Sequence, residues 1–419
     1  MDDLNQEEKA QVQLERLQST LNRADRNVPF HRKRFQKAGI DPSAIERIAD
    51  IARLPFMDRG HLGRHYPYGL FAVPLRDIVR IHTAPGTTES PTISGYTRQD
   101  LAAWQRIVSC ALTAAGVTDH DILQISLDPG LANWGRDYKD GAERIGASVI
   151  PNTPLSMEKK LMVLSDYKTT VLITTPSAAR QLSAHMFDAG INPTSLALKT
   201  VILVGEAADA NTRKEIEEKL HVATWQHYGL SEVPGPAIGF ECRNKTGLHI
   251  NEAHMIAEIV DPESGAPVEA GVAGELILTT LSTRAFPLIR FRTGDRAKII
   301  PAPCPCGDPS IRIEWLSGRV DDLLSICGVK VHARQVEIQL ETALGIPPEN
   351  FRCFKNSRNE KDFLEVWVHV DLRLFSDEIK ELQRAMAMAA EGLRERLGVP
   401  VLVRLREACS FTSARPLRP

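Results

Sequence analysis

Residues 199–229, KTVILVGEAADANTRKEIEEKLHVATWQHYG, decide the fold class. A β-branched run (KTVILVGE, 199–206) leads into a charged helical stretch (NTRKEIEEKL, 211–220) and out through a second β-branched run (ATWQHYG, 223–229). Strand, helix, strand in alternation is a crossover unit, and repeated crossovers build a mostly parallel, buried sheet. The same alternation extends upstream. Strand-like runs occur at DIVRIHT (77–83), DILQISL (121–127), ASVIPN (147–152) and TVLITT (170–175). Helical stretches separate them at 97–116, 156–167 and 176–190. Before these, VQLERLQSTL (12–21) has apolar residues at helical spacing, Pro29 marks a break, and IARLPFMDRGHL (51–62) carries an Asp start signal.

Downstream of residue 245 the helices stop. GLHINEAHMIAEIVDPESGAPV (247–268), GELILTTL (274–281) and RAKIIPA (296–302) are expected to be antiparallel strands joined by Gly/Pro turns. At GRVDD (318–322) the pattern changes again. The order is strand LLSICGVKV (323–331), helix 333–344, strands 351–356 and 363–372, helix 376–397 and strand 401–407. That β-α-β-β-α-β order is expected to be a compact split-crossover domain. The fold class is therefore α/β: a large N-terminal domain (1–317) with parallel sheets and a β-rich subdomain, a hinge at 318–321, and a small C-terminal α+β domain (322–419).

Composition narrows the function. The chain has 419 residues, 43% hydrophobic and 25% charged, which excludes a disordered or fibrous protein. With 51 basic and 53 acidic residues the formal net charge is −2, so no nucleic-acid partner and no anionic membrane surface is expected. The basic runs HRKRF and RLRERL read as solvated helix faces. No run of 18 apolar residues is present, and MDDLNQEEKAQVQLERL is too acidic and polar for a secretory signal. Seven scattered cysteines fit a reduced, cytoplasmic protein better than a disulfide framework.

Four segments carry chemistry. HTAPGTTESPTISGYT (82–97) follows a strand, and Gly86, Thr87 and Thr88 could present N–H and hydroxyl donors to phosphate; the plain alternative is a turn. WQHYGLSEVPGP (225–236) offers a ring for a base and a carboxylate for a hard cation, or is simply a strand running into a loop. In PLIRFRTGDRA (287–297), Asp295 could accept from a ribose diol, or serve a type I turn. The fourth, GRVDDLLSICGVKVHARQVE (318–337), lies on the domain junction.

Gly-Thr-Thr, Tyr-Gly-Leu-Ser-Glu, Arg-Thr-Gly-Asp and Gly-Arg-x-Asp-Asp, in that order, resemble the adenylate-forming superfamily of acyl-coenzyme A ligases. More narrowly, RIHTAPGTTESPTISGYT, DGAERIGASVIP, YGLSE, GLHINEAHMIAEIVDP, PLIRFRTGD and GRVDDLLSICGVKVHARQVE resemble segments of the phenylacetate–coenzyme A ligases. The similarity runs from about residue 25 to the end.

The resemblance implies a two-step reaction. A carboxylate attacks the α-phosphate of ATP, giving an acyl-adenylate and pyrophosphate; coenzyme A then attacks the acyl carbon and releases AMP. It implies that Thr87 and Thr88 hold phosphate and that Gly205, Glu206 and Ala207 edge the adenine. Tyr228 stacks on the base, within a Tyr228-Gly229-Leu230-Ser231-Glu232 motif in which Glu232 coordinates Mg²⁺. Asp295 binds both ribose hydroxyls, Arg319 reaches ribose or phosphate, Asp321 is the hinge, and Gly328 lines the pantetheine passage. A small-molecule carboxylic acid is the expected partner, and a homodimer the expected assembly.

Departures from the family pattern matter equally. Where the family's phosphate loop reads Ser-Ser-Gly-Thr-Thr-Gly-Lys-Pro, this chain has Ala84-Pro85-Gly86-Thr87-Thr88-Glu89-Ser90-Pro91, and Pro85 has no N–H to donate. Arg415 falls where the family carries a catalytic lysine, and a planar fork is not a point charge. In the acyl-pocket segment SLDPGLANWGRDYKDG (126–141), Gly130 and Gly135 keep family glycine positions. Ala132 takes a Phe position, Trp134 takes a Gly position, and Asp128, Asn133, Arg136 and Asp137 add polarity. An acid smaller or more polar than phenylacetate is expected. Two rival readings follow from these departures: an adenylating enzyme with an amine acceptor, including nitrite-activating, diazotising relatives, or a nucleotide-binding pseudoenzyme.

Cys242 and His249, with Cys304 and Cys306 on a Cys-Pro-Cys-Gly turn, make a soft four-ligand set of the structural-zinc type, and some relatives carry the same pattern. His254 reads as a solvent-facing strand residue, and Cys110, Cys327, Cys353 and Cys409 as buried small hydrophobes.

Overall fold

A computed structural model describes the chain except residues 1–5, 85–91, 128–130, 154, 234, 322, 328, 345–350, 359–360, 370–378 and 407–419. Thr87, Thr88, Gly328 and Arg415 therefore lie outside the described residues. Two compact units are present, and the division falls between Val320 and Asp321.

The first unit begins with α1 (Gln6–Asn27), α2 (Pro29–Ala38) and α3 (Arg59–Arg64), then a hairpin of β1 (Arg80–Ala84) and β2 (Thr92–Tyr96). Pro29 opens α2 where its missing N–H costs nothing, and Asp58 caps α3 by accepting from His61 N–H at 3.0 Å. The alternating region follows: α4 (Arg98–Ala114), β3 (Ile122–Ile125), α5 (Ala132–Ile145), β4 (Ser148–Ile150), α6 (Met157–Asp166), β5 (Val171–Thr174), α7 (Pro176–Asp188), β6 (Thr200–Val204), α8 (Ala210–Leu220) and β7 (Ala223–Tyr228). Then come β8 (Gly239–Glu241), β9 (Leu248–Ile250), β10 (Met255–Val260), β11 (Gly274–Thr280), β12 (Phe291–Ile300) and β13 (Arg312–Arg319).

Among the described residues these strands form one eleven-stranded sheet, ordered β10-β11-β12-β13-β9-β8-β7-β6-β5-β3-β4. The run β4-β3-β5-β6-β7 is parallel, and from β7 onward every pairing is antiparallel. The expected parallel core and β-rich subdomain are thus continuous, joined through β8 and the three residues of β9. Both faces of the parallel half are covered. In β6, Val201 and Leu203 pack with Leu161, Leu182 and Ile216 of α6–α8, while Ile202 and Val204 pack with Ile107 and Tyr138 of α4 and α5. Burial on both faces is why these strands read as unbroken apolar runs.

The sequence reading omitted α5. Gly135 and Gly141 weaken it as an isolated helix, but tertiary packing needs Gly141. A Cβ there would stand 2.5 Å from Val108 Cγ1, so the glycine lets α5 lie against α4.

The second unit holds β14 (Leu323–Ile326), β15 (Val329–His332), α9 (Ala333–Leu344), β16 (Phe351–Arg358), β17 (Lys361–His369), α10 (Ile379–Leu397) and β18 (Val401–Arg406). LLSICGVKV is not one strand but the β14–β15 hairpin, and Cys327 beside the reversal has a left-handed φ of 50°. A separate sheet, β16-β17-β18, pairs β17 parallel to β18. Leu364 and Val366 of that sheet share an apolar core with Val336 and Leu340 of α9 and Leu393 of α10. No helix among the described residues is long and apolar enough to cross a membrane.

Candidate functional site

The Tyr-Gly-Leu-Ser-Glu and Arg-Thr-Gly-Asp motifs and Arg319 meet at one place although they come from three stretches of chain. Tyr228 ends β7. Asp295 and Arg319 are directly opposed on β12 and β13, so their side chains project from one cross-strand pair. Tyr228 donates its hydroxyl proton to Asp295 Oδ2 at 2.8 Å, and Arg319 Nη1 donates to Asp295 Oδ1. Arg319 Nη2 also donates to the Thr293 carbonyl at 2.6 Å. A carboxylate offers about four acceptor sites; these partners use one on each oxygen, leaving one on each.

Tyr228 does not offer the stacking face expected of it. The ring is fully buried and meets Trp315 edge-on, with centroids 4.9 Å apart at 78°. Burial, with the Asp295 charge beside it, pushes the phenol well above its ordinary pKa, so the hydroxyl stays a donor. In the structure the Tyr228 hydroxyl is spent on Asp295.

Glu232 is buried and ion-paired. Arg59 Nε, from the start of α3, donates to Glu232 Oε1 at 2.6 Å, and Arg59 Nη1 donates to the Thr293 carbonyl at 2.8 Å. Arg59 is absent from the sequence expectations. Its partners lie 173 and 234 residues away, and local pattern marks it only as the residue after a helix cap.

Of the other expected residues, Gly205, Glu206, Ala207, Gly229, Ser231 and the α5 residues Asn133, Trp134 and Gly135 follow the carboxyl ends of β6, β7 and β3, the end at which ligands of open α/β sheets bind. Gly205 follows β6, and Glu206 accepts from Ser177 Oγ at 3.0 Å on its side chain and from Gln226 Nε2 at 3.0 Å on its carbonyl. Ala207 is half-buried beside it, and Ser231 is half-buried in the loop after β7. Gly229 must be glycine: a Cβ would lie 2.8 Å from Pro236 Cα and 3.0 Å from the Gly235 carbonyl. The same Cβ would be 3.3 Å from Trp134 Cη2, so the buried Trp134 ring lies against the backbone at the end of β7. Asn133 is half-buried, with Nδ2 3.4 Å from the Thr83 carbonyl, and Gly135 backs onto Asn152.

One turn along α5 the surroundings turn polar. Tyr138 OH lies 2.9 Å from His227 Nδ1 in full burial, which drives His227 down to about 3 and keeps its ring neutral. Asp137 is also buried. Burial pushes its carboxyl up to about 7 against the opposing pull of Arg80, whose Nη1 is 3.2 Å away. Arg80 bridges on to Asp140 at 3.0 Å. Arg136 is exposed.

The four soft residues also come together. Cys242 follows β8, His249 lies in β9, and Cys304 and Cys306 lie between β12 and β13. Their ligand atoms all fall within 4.8 Å of one another. Cys242 Sγ is 3.7 Å from Cys304 Sγ, and Cys306 Sγ is 3.5 Å from His249 Nε2. Those separations suit the edges of a tetrahedron with metal–sulfur bonds of about 2.3 Å. His249 Nδ1 contacts Ser310 Oγ at 3.0 Å, which orients the ring so that Nε2 faces the thiols. Burial raises the Cys304 thiol, but hydrogen bonds from Cys306, Thr246 and His249 outweigh it and bring Cys304 down to about 6. Burial pushes Cys306 up to about 11. Elsewhere Cys353 is buried as expected, Cys327 is half-buried, and Cys110 is exposed on α4, contrary to expectation, because it falls on that helix's outer face. His254 is half-buried, with Nδ1 2.6 Å from Ser282 Oγ, and does not face solvent. His31, within HRKRF, is fully buried.

Residues 144–283 match the family model of AMP-binding enzymes. The phenylacetate-coenzyme A ligase of Thermus thermophilus is 34% identical over 95% of this chain and 90% of its own length. That of Escherichia coli is 36% identical over 86% of this chain and 82% of its own. Among solved structures, a 2-hydroxyisobutyryl-CoA ligase in complex with 2-HIB-AMP and CoA shares the fold, with a TM-score of 0.90 and 23% identity, covering 100% of this chain and 90% of that one. The identity persists over nearly the whole length of both chains: the chain belongs to the phenylacetate–coenzyme A ligase family.

Proposed function

We propose that this protein is an ATP-dependent, AMP-forming ligase that adenylates a small carboxylic acid and passes the acyl group to coenzyme A. The observation that carries the reading is the single hydrogen-bonded network running Tyr228–Asp295–Arg319–Thr293–Arg59–Glu232. It gathers the residues that would grip one nucleotide. Asp295 accepts from the two ribose hydroxyls through its two remaining lone pairs, while Tyr228 and Arg319 fix its plane. Glu206 and Ala207 border the base. Arg319 adds positive charge beside the sugar.

The acid lies between α5 and the ends of β6 and β7. Its carboxylate oxygen attacks the α-phosphorus, pyrophosphate leaves, and the mixed anhydride then yields its acyl carbon to the thiol of coenzyme A with release of AMP. Trp134 shortens the space for the acid, and the Asp137 and His227 surroundings favour polar over plain aryl acids. Thr87 and Thr88 hold phosphate, Arg415 supplies the cation of the adenylation step, Asp321 is the pivot of the C-terminal unit, and Gly328 lines the passage for pantetheine.

Glu232 suits Mg²⁺ as a hard oxygen donor, although Arg59 pairs with its Oε1 at 2.6 Å. Mg²⁺ would offset charge on the phosphates. Cys242, His249, Cys304 and Cys306 would hold Zn²⁺ in a closed, purely structural site.

The test is acid-dependent exchange of labelled pyrophosphate into ATP, followed by mass detection of products with coenzyme A present. Exchange plus an acyl-coenzyme A and AMP supports the ligase. Exchange with no thioester, but a product with an amine, moves the acceptor. No exchange with any of a broad acid panel refutes adenylation.

A further inference from the structure

We propose that Arg59 is the positioning residue for Glu232, and the resident cation that a divalent metal arriving with nucleotide must displace from that carboxylate. This rests on the reading of Glu232 as a metal ligand.

Three observations carry it. Arg59 and Glu232 are paired at 2.6 Å with side chains only 10% and 6% exposed, so solvent screens the contact little. The guanidinium fork is used in two directions. Nε holds Glu232, and Nη1 holds the Thr293 carbonyl at 2.8 Å, the same oxygen that takes 2.6 Å donation from Arg319. Arg59 therefore ties the metal-side carboxylate to the backbone oxygen on which the ribose-side arginine also rests. Finally, the guanidinium sits 5.6 Å from the centroid of the Phe291 ring, which confines where it can go.

A buried carboxylate held by a guanidinium is pre-oriented but only partly available. A metal must compete with Arg59 for Oε1, and once it wins, the Thr293 contact keeps the displaced arginine beside the site. Lysine would keep the competition for Glu232 but not the geometry. Its single ammonium carries the charge but cannot reach Glu232 and Thr293 along the two fixed directions of a fork.

The experiment titrates Mn²⁺ into the full-length protein with the non-cleavable analogue α,β-methylene-ATP and follows loss of the free-ion paramagnetic resonance signal. Glu232→Gln is expected to weaken Mn²⁺ binding at least tenfold. Arg59→Gln is expected to tighten it about tenfold, the order set by removing one charge-assisted competitor. Arg59→Lys is expected to stay within about threefold of the parent, because the competing charge remains. In pyrophosphate exchange, Arg59→Gln should lower the half-saturating Mg²⁺ while also lowering kcat, a split that a merely structural role would not produce. Arg59→Met, which keeps the stem over Phe291, replaces the glutamine variant if that one fails to fold. Unchanged or weaker Mn²⁺ binding in folded Arg59→Gln or Arg59→Met, with Glu232→Gln impaired, overturns the proposal and leaves the ligase reading intact. Unimpaired binding in Glu232→Gln overturns the ligand assignment itself, and this proposal with it.

Discussion

Asp295→Asn perturbs the centre of the nucleotide network with little change in shape. The wild-type carboxylate takes the Tyr228 proton on Oδ2 at 2.8 Å and the Arg319 donor on Oδ1, with one lone pair per oxygen left for the ribose diol. Asparagine keeps one carbonyl oxygen, which must face Arg319 because a guanidinium cannot accept. Its amide nitrogen then turns toward Tyr228, whose hydroxyl can rotate to accept. The ribose hydroxyl on that side loses its anionic acceptor and meets a donor instead. Losing one hydrogen bond to a charged group costs about 1.5–3 kcal/mol, equivalent to about a 10- to 150-fold rise in Kd for ATP.

The assay is calorimetric titration of ATP and of 2′-deoxy-ATP into both proteins, with thermal melts confirming that the variant is folded. In wild type the deoxy analogue should bind more weakly. In Asp295→Asn that penalty should shrink, giving a coupling energy of about 1 kcal/mol or more between residue and hydroxyl. If the folded variant binds ATP within about twofold of wild type, or if the deoxy penalty is the same in both proteins, the ribose assignment is wrong.

Elemental analysis of the purified protein should give about one zinc per chain. Replacing Cys304 and Cys306 together by serine should remove the metal and lower the melting temperature; equal melting temperatures with and without metal would refute the site. Asp137 sets a pH dependence. Its folded carboxyl is held up to about 7, well above the ordinary carboxylate value, so between about pH 4 and 7 the folded state keeps a proton that the unfolded chain releases. Stability should therefore fall as pH rises through that window, and Asp137→Asn should flatten the fall; parallel melting-temperature curves for the two proteins would contradict it. Trp134→Ala should open the acid site at Gly229 and shift kcat/KM toward bulkier acids by about 10- to 200-fold, the range for small changes in an apolar pocket. An unchanged ranking of acids would remove Trp134 from the pocket.

Much of this was readable from the chain. The strand–helix alternation named the crossover units because the central strands are buried on both faces and the helices on one. The motif residues were readable because local backbone demands, such as the glycine after Tyr228, coincide with chemical ones. What escaped was non-local. The helix α5 escaped because Gly135 and Gly141 argue against helix until Asn152 backs the first and α4 lies beside the second. The β14–β15 reversal escaped because the lone Gly328 is a weak turn signal in LLSICGVKV, and the left-handed backbone at Cys327 is not marked by its residue type. Arg59 escaped because its partners are supplied by distant strands, and the tyrosine ring because burial against Trp315 depends on β13, some ninety residues downstream.

The three residues of β9 have a consequence for how the molecule holds together. They meet β13 through two residue pairs only, Arg312 with His249 and Ile313 with Leu248. Tyr228 and Glu232 lie on one bank of this narrow isthmus, Asp295 and Arg319 on the other. A nucleotide gripped from both banks would be a strut across one of the sheet's slender joints. A soft ion clasped by His249 and its three thiols would be a rivet at the same crossing, so a thiol oxidant that never enters the cleft could still pry its walls apart.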